Sequence, residues 1–252
     1  MRLLSYDRGG SRRLAAWVGD VVIDLPDAVG HPSFPATLET LVARNGGTTL
    51  DAARAAVEHP DARADFAVRR PRMLSPLVLA GDRADDVMAH RAVIDLPQKG
   101  QELVCRPELA CIVGRAGLDL DPDQAADALF GYTLVNGWHV RARGELKPIG
   151  TAVGPCVATA DEFDPSGRRC VVEVDGTAIA EVRLGAQAPA RFARTIARAS
   201  RKGGVQPGEL FGLAPFAAPI VIAVPRRRRD DLVIAVDVPG IGRLENRVAA
   251  SR

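Results

Sequence analysis

Lysine is almost missing. Only three of the chain's 33 basic residues, Lys99, Lys147 and Lys202, are lysine. The rest are arginine, a bias that points to a GC-rich bacterial genome more than to a function. Aromatic residues make up 4% of the chain, and none interleaves its densest basic run, Arg226 to Arg229. Asp230 and Asp231 offset that run, which reads as a solvated turn, not a phosphate site. The net charge of +2 gives no electrostatic case for nucleic acid or membrane. Four cysteines occur, Cys105, Cys111, Cys156 and Cys170, with no CxxC pair and no histidine at a zinc-ligand spacing. That speaks against zinc and for small buried thiols. No apolar segment approaches the length of a membrane span. The start, "MRLLSYDRGG", lacks the apolar stretch of a secretion signal. A cytoplasmic protein is expected.

What is present fits a globular chain with a sizeable core: 252 residues, 47% hydrophobic and 25% charged. "RLLSYD", "LAAWVG" and "VVIDL" are three short strand-like runs, with "DRGGSR" as a hairpin turn between the first two. "TLETLVAR" and "LDAARAAVEH" follow with helical spacing. These make a small N-terminal unit over residues 1–70, with "RRPRML" at its exit and a strand-rich domain over 71–252. In that domain "PLVLAG" and "PELACIVG" are candidate strands. Asp121 and Pro122 open a helix as N-cap and first helical residue. "GYTLVNGWHV" follows as a strand. Two alternating runs around Asp175-Gly176 form a tight hairpin. "ARFARTIARAS" is a helix with Phe192, Ile196 and Ala199 on one stripe. "PIVIAV", "DLVIAVDV" and "GRLENRV" close the chain as strands. Many short strands and few helices predict a β-rich α+β fold.

Within "CRPELACIVG", residues 105–114, Arg106 and Glu108 stand two apart beside an apolar run. In a strand they share a face. A guanidinium and a carboxylate therefore sit together on a strand that otherwise reads as buried.

Several segments together resemble the fumarylacetoacetate hydrolase family. "RLLSYDRGGSRRLAAWVGDVVIDL" is similar to its N-terminal unit. "PELACIVGRAGLDLDPDQAADALFGYTLVNGWHVRAR" resembles its core, in which an E-x-E-L strand leads through a helix to a G-Y-T-x-x-N-D-x-x-x-R strand. "VGPCVATADEFDP", "VEVDGTAIAE", "VQPGELF" and "DLVIAVDVPGIGRLENRV" resemble its later motifs in the same order. The resemblance implies a mixed β-roll or barrel-like core and a homodimer. It also implies chemistry on oxo acids and 1,3-dicarbonyls: C–C hydrolysis, decarboxylation, isomerisation or hydration. In the family a divalent metal held by three carboxylates grips the substrate's oxygens.

Carried across residue by residue, the three ligand positions are Arg106, Glu108 and Gly137. Glu108-Leu109, Tyr132-Thr133 and Asn136 hold the register. One ligand survives, one is reversed in charge and one is reduced to a hydrogen, so the family's metal site is expected to be absent and no cofactor is expected. The family's water-activating histidine and glutamate fall on Val87 and His90, and His90 is a candidate displaced histidine. Its T-G-T-P loop becomes "GLAPF", residues 212–216. Its lysine before L-G-P falls on Glu145, two residues from Lys147.

Two readings of Arg106 and Glu108 stay open. They are a salt bridge left by a lost metal site, or Arg106 takes the cation's place and binds a substrate carboxylate or enolate. A guanidinium stabilises an oxyanion but does not acidify water as a metal does. Hydrolysis should suffer more than enolisation, decarboxylation, isomerisation or cyclisation. His139 is either a hydrogen-bonded structural histidine or an acid/base group. Arg141 matches the family's arginine and, with Lys147, is a candidate substrate contact. Trp138 reads as packing, and His31 and His59 carry no role. The expected partner is a small oxo acid or dicarbonyl, with a specialised biosynthetic pathway as the expected setting. The alternative is a catalytically silent binding or scaffolding subunit. A third reading has Cys105 or His139 recruited as substitute metal ligands near Glu108.

Overall fold

The computed structural model describes residues 1–44, 47–78, 87–95, 101–213, 216, 218–223 and 231–249. The arginine run 226–229 lies outside them. Pro76 to Val78, the described part of the expected "PLVLAG" strand, form no strand.

The N-terminal strands are β1 (Arg2–Arg8), β2 (Ser11–Val18) and β3 (Val21–Asp24). Helices α1 (Leu25–Val29), α2 (Leu38–Ala43), α3 (Gly47–Glu58) and α4 (Ala62–Asp65) follow. Short strands β4 (Arg72–Met73), β5 (Val87–Met88) and β6 (Val93–Ile94) lead to the long β7 (Glu102–Val113). After α5 (Pro122–Asp127) come β8 (Leu129–Ala142), β9 (Glu145–Thr159), β10 (Arg169–Val174) and β11 (Thr177–Arg183). Helix α6 (Ala188–Ser200) precedes β12 (Leu210–Gly212), β13 (Ile220–Ala223), β14 (Leu232–Val238) and β15 (Gly242–Val248).

Two sheets result. A ten-stranded sheet runs in the order β12-β7-β8-β9-β1-β2-β3, with β13 also on β7, β4 on β1 and β5 on β9. A five-stranded sheet runs β11-β10-β14-β15-β6. Residues 1–70 do not stand apart from the large sheet: β1 pairs antiparallel with β9, Leu3 opposite Val157.

Local chemistry explains the clearest elements. Asp121 accepts from the amides of Asp123 and Gln124, and the Gln124 side chain accepts from the Asp121 amide, a full capping box that starts α5. Asp175 and Gly176 both take positive φ, 50° and 76°, as a tight hairpin between β10 and β11 requires. Helix α6 buries Phe192, Ala193, Ile196 and Ala197. Phe192 meets the Tyr132 ring edge-on at 5.3 Å in the main core. A second core under the N-terminal helices contains Leu3, Leu14, Leu38 and Phe130. A third joins Leu103, Cys105 and Trp138 to Ile234 and Val248.

Pro107 sits in the middle of β7, where it has no N–H to give. Its carbonyl accepts from the Phe216 amide at 3.0 Å. The bonding edge of Pro107 thus faces the segment where β7's neighbour changes from β12 to β13. That is a place where a proline costs a sheet little.

Candidate functional site

The site is built by alternation along β7 and β8. Leu103 and Cys105 of β7, with Trp138 of β8, point into the third core, where Trp138 packs as expected. Side chains one residue on point the other way. In the ladder Arg106 stands opposite Gly137, Glu108 opposite Val135 and Val104 opposite His139. Gly137 in turn stands opposite Thr151 of β9, and Thr151 beside Val87 of β5. One row across four strands therefore reads Arg106, Gly137, Thr151, Val87. Below it Ala110, Val135 and Val153 form an apolar floor, packed by Val87 and Leu210. Val87, at the position of the family's histidine, is part of that floor.

Gly137 leaves a space that its neighbours share. A β-carbon there would lie 3.4 Å from Cε1 of His139 and 3.9 Å from Cβ of Arg106. The imidazole Nδ1 is 3.3 Å from the Gly137 carbonyl oxygen. Arg106, Gly137 and His139 thus converge.

Glu108 is half-buried. Burial raises its pKa above the ordinary carboxylate range, against the opposing pull of Arg106. Its Oε2 lies against the backbone of Gly212, where any β-carbon would collide with it. Gly212 is opposite Ala110 in the ladder. With no β-carbon at Gly212 the carboxylate can rest there, a contact invisible without the pairing of β12 with β7.

Of the two readings of Arg106 and Glu108, the salt bridge is not formed. No N–O approach within 4.0 Å joins the two groups, although they share a face and influence each other electrostatically. The buried Nε of Arg106 has no hydrogen-bond partner. The carboxylate turns toward Gly212 instead.

The other expected residues lie elsewhere. His90 follows β5, and its Nδ1 accepts from the Glu245 amide at 3.2 Å. It lines a different cleft of about 760 Å³, with Trp17, Val22 and Met73. Burial, reinforced by the nearby cation of Arg91, pulls its pKa from 6.5 down to about 4. Arg141 is on the face of Arg106 but about 13 Å further along the strands, held by Glu102 at 2.9 Å. Lys147 is exposed on the β8–β9 hairpin, 3.4 Å from Glu145. Cys105 points to the opposite side of β7, and burial raises its thiol pKa.

The donor set does not fit the divalent ion that the resemblance implies. Such an ion takes six or more hard oxygens, some of them water, and needs carboxylate charge not offset by a neighbouring cation. The face offers one desolvated carboxylate beside a fixed cation. Among the described residues no three His, Cys, Asp or Glu side chains converge. Cys105 does not make up the deficit, since it lies on the other face.

The family model for the fumarylacetoacetate hydrolase C-terminal domain matches residues 48–249. The chain belongs to the fumarylacetoacetate hydrolase family. A search of curated proteins finds no match. Among solved structures, the fumarylacetoacetate hydrolase from psychrophilic Exiguobacterium antarcticum is similar along 100% of both chains, with a TM-score of 0.74 at 20% identity. The maleylpyruvate hydrolase of Sphingobium sp. SYK-6 reaches a TM-score of 0.76 at 19% identity over 99% of each chain. A second structure of that hydrolase is described as a complex with manganese(II) and pyruvate. The 2-hydroxyhepta-2,4-diene-1,7-dioate isomerase of Mycobacterium marinum gives 0.66 at 20% identity, over 99% of this chain and 98% of that one. At such identities the likeness concerns the fumarylacetoacetate hydrolase fold, and the chemistry must be argued from the site.

Proposed function

We propose that this family member is an enzyme that works without the divalent metal, on an oxo acid or 1,3-dicarbonyl compound. The observation that carries this reading is the unpartnered Nε of Arg106 beside a desolvated, unpaired Glu108 over the gap at Gly137. Two opposite charges that share a face and leave each other's hydrogen-bonding capacity unused are arranged for a third group.

In this reading Arg106 holds the substrate's carboxylate or enolate oxygen through its forked donors. Glu108, with its raised pKa, takes a proton from the carbon next to the carbonyl. His139 or the same carboxyl returns a proton at another position. That sequence isomerises a dicarbonyl; with loss of CO₂ in place of the first proton transfer, it decarboxylates an oxo acid. The guanidinium stabilises the developing oxyanion in both. Hydrolysis would need a separate means of activating water. The reading includes a homodimer in the cytoplasm, and light scattering after size exclusion tests the dimer.

The test is titration with oxalate, a stable mimic of an oxo acid's enolate. Saturable binding should persist in EDTA and be unchanged by added Mn²⁺. Arg106→Gln should weaken it about 10–100-fold at unchanged melting temperature. Binding that requires Mn²⁺, or that survives Arg106→Gln, would sink the proposal. A chain that binds no oxo acid and turns over none would return the protein to the scaffolding alternative.

A further inference from the structure

Helix α6 is anchored by Phe192, Ala193, Ile196 and Ala197 in the core, and its outer face carries Arg191, Arg194 and Arg198. Their spacing of three and four residues places them on one side. They line a groove of about 470 Å³ between the helix and the Gly212–Leu213 segment, together with Thr195. The helix contains no acidic residue. None of the three guanidiniums has an ion pair with a described residue.

Several other arginines of the chain sit on carboxylates, among them Arg13 on Asp24, Arg54 on Asp161 and Glu162, and Arg243 on Glu173; Arg191, Arg194 and Arg198 face a groove instead. Arg194 and Arg198 are a like-charged i,i+4 pair, which works against the helix. The helix thus carries three like charges along a groove in which no described residue neutralises them. The groove also borders the site described above. Gly212 forms part of its wall, and Glu108 rests against Gly212 where a β-carbon would stand.

We infer that this groove is an anion subsite for the phosphate-bearing end, a phosphomonoester or diphosphate, of a small ligand. Three guanidiniums offer more forked donors than the two oxygens of one carboxylate can accept, whereas a diphosphate can engage them all. Among the described residues no aromatic side chain lines the groove and Leu213 is its apolar wall, so recognition by them is through charge and hydrogen bonding. The ligand's reactive end then points past Gly212 toward Glu108 and Arg106. That last step rests on the function proposed above; the anion subsite does not.

Calorimetric titration of the full chain with pyrophosphate, inorganic phosphate and succinate tests the subsite. Pyrophosphate should bind saturably and more tightly than the other two, and weaken as salt is raised. The double variant Arg194→Gln/Arg198→Gln should weaken it ~tenfold or more, and Arg191→Gln alone should weaken it less. Both change exposed side chains, and a thermal melt checks that they fold. Arg106→Gln should leave pyrophosphate binding unchanged. No saturable binding, or equal binding by the double variant, overturns the inference. Succinate binding as tightly as pyrophosphate overturns the assignment to phosphate. Loss of pyrophosphate binding in Arg106→Gln but not in the double variant places the anion at the other site. If oxalate fails to bind while pyrophosphate behaves as expected, the proposed function falls and the subsite stands.

Discussion

Two acidic residues in the large sheet are treated in opposite ways. Asp24, 3% exposed, accepts from the Tyr6 hydroxyl, from Arg13 at 2.9 Å, from Arg8 at 3.1 Å and from the Asp27 amide at 2.8 Å. Burial alone would raise its pKa, yet the hydrogen bonds from Arg13, Tyr6 and Asp27 outweigh it and hold the carboxyl below its ordinary value. Glu108 is less buried and has a cation two residues away, but no hydrogen bond to it, and its pKa goes up. The first carboxylate is finished as structure. The second is left incomplete, and incompleteness at a desolvated group is what a binding or catalytic site requires.

The comparison can be broken by mutation. Asp24→Ala should have the largest effect, about 3–5 kcal/mol of lost stability in urea unfolding, because Tyr6, Arg8 and Arg13 lose a common partner. A loss under 1 kcal/mol would mean that the network is decorative.

His90 is an intermediate case, a half-buried group with one hydrogen bond. Its pKa falls from 6.5 to about 4 in the folded chain. Between those values the unfolded state binds the extra proton, so stability should rise with pH through that window, by of order 2 kcal/mol. His90→Asn should flatten that slope, and an unchanged slope would show that His90 titrates normally.

Glu108→Gln should have the smallest effect, and of opposite sign. Its folded pKa lies above the unfolded one, so ionisation at neutral pH penalises the fold. The neutral variant should be slightly more stable at neutral pH. The gain should shrink as pH falls through the folded pKa and vanish below the unfolded one, where both states are protonated. Oxalate affinity should fall in the same variant. A destabilised Glu108→Gln would mean that the carboxylate is structurally satisfied, like Asp24.

Local chemistry made some elements legible in the sequence and hid others. The Asp121 cap and the Asp175-Gly176 turn act within four residues, so they can be read directly. Strand β9 is 15 residues long but carries Pro148, Gly150, Gly154 and Pro155, which read as interruptions. It is held by β8 and β1 on its two sides, and no local pattern reports such support. Strand β7 begins at Glu102, five residues before the expected strand at Pro107, because β13 and β8 pair with its first residues on either side.

The site divides the same way. Alternation put Arg106 and Glu108 on one face, and the resemblance placed Gly137 opposite. The contact of Glu108 with Gly212 depends on chain a hundred residues away. The position of His90 depends on a turn after β5, where Arg91 takes φ 65°. That turn sends the histidine toward Glu245 and leaves only Val87 on the site's floor.

Pro107 has a consequence for how this protein could diversify. A strand residue that donates no hydrogen bond places little demand on the length of chain facing it. Among the described residues of the connection between β12 and β13, the Leu213 and Phe216 amides donate to the Leu109 and Pro107 carbonyls. Insertions and deletions in that connection would leave the register of β7 against β8 intact. A lineage could thus reshape the approach to Glu108 by changing loop length alone, while the strands that aim Arg106 stay inherited unchanged.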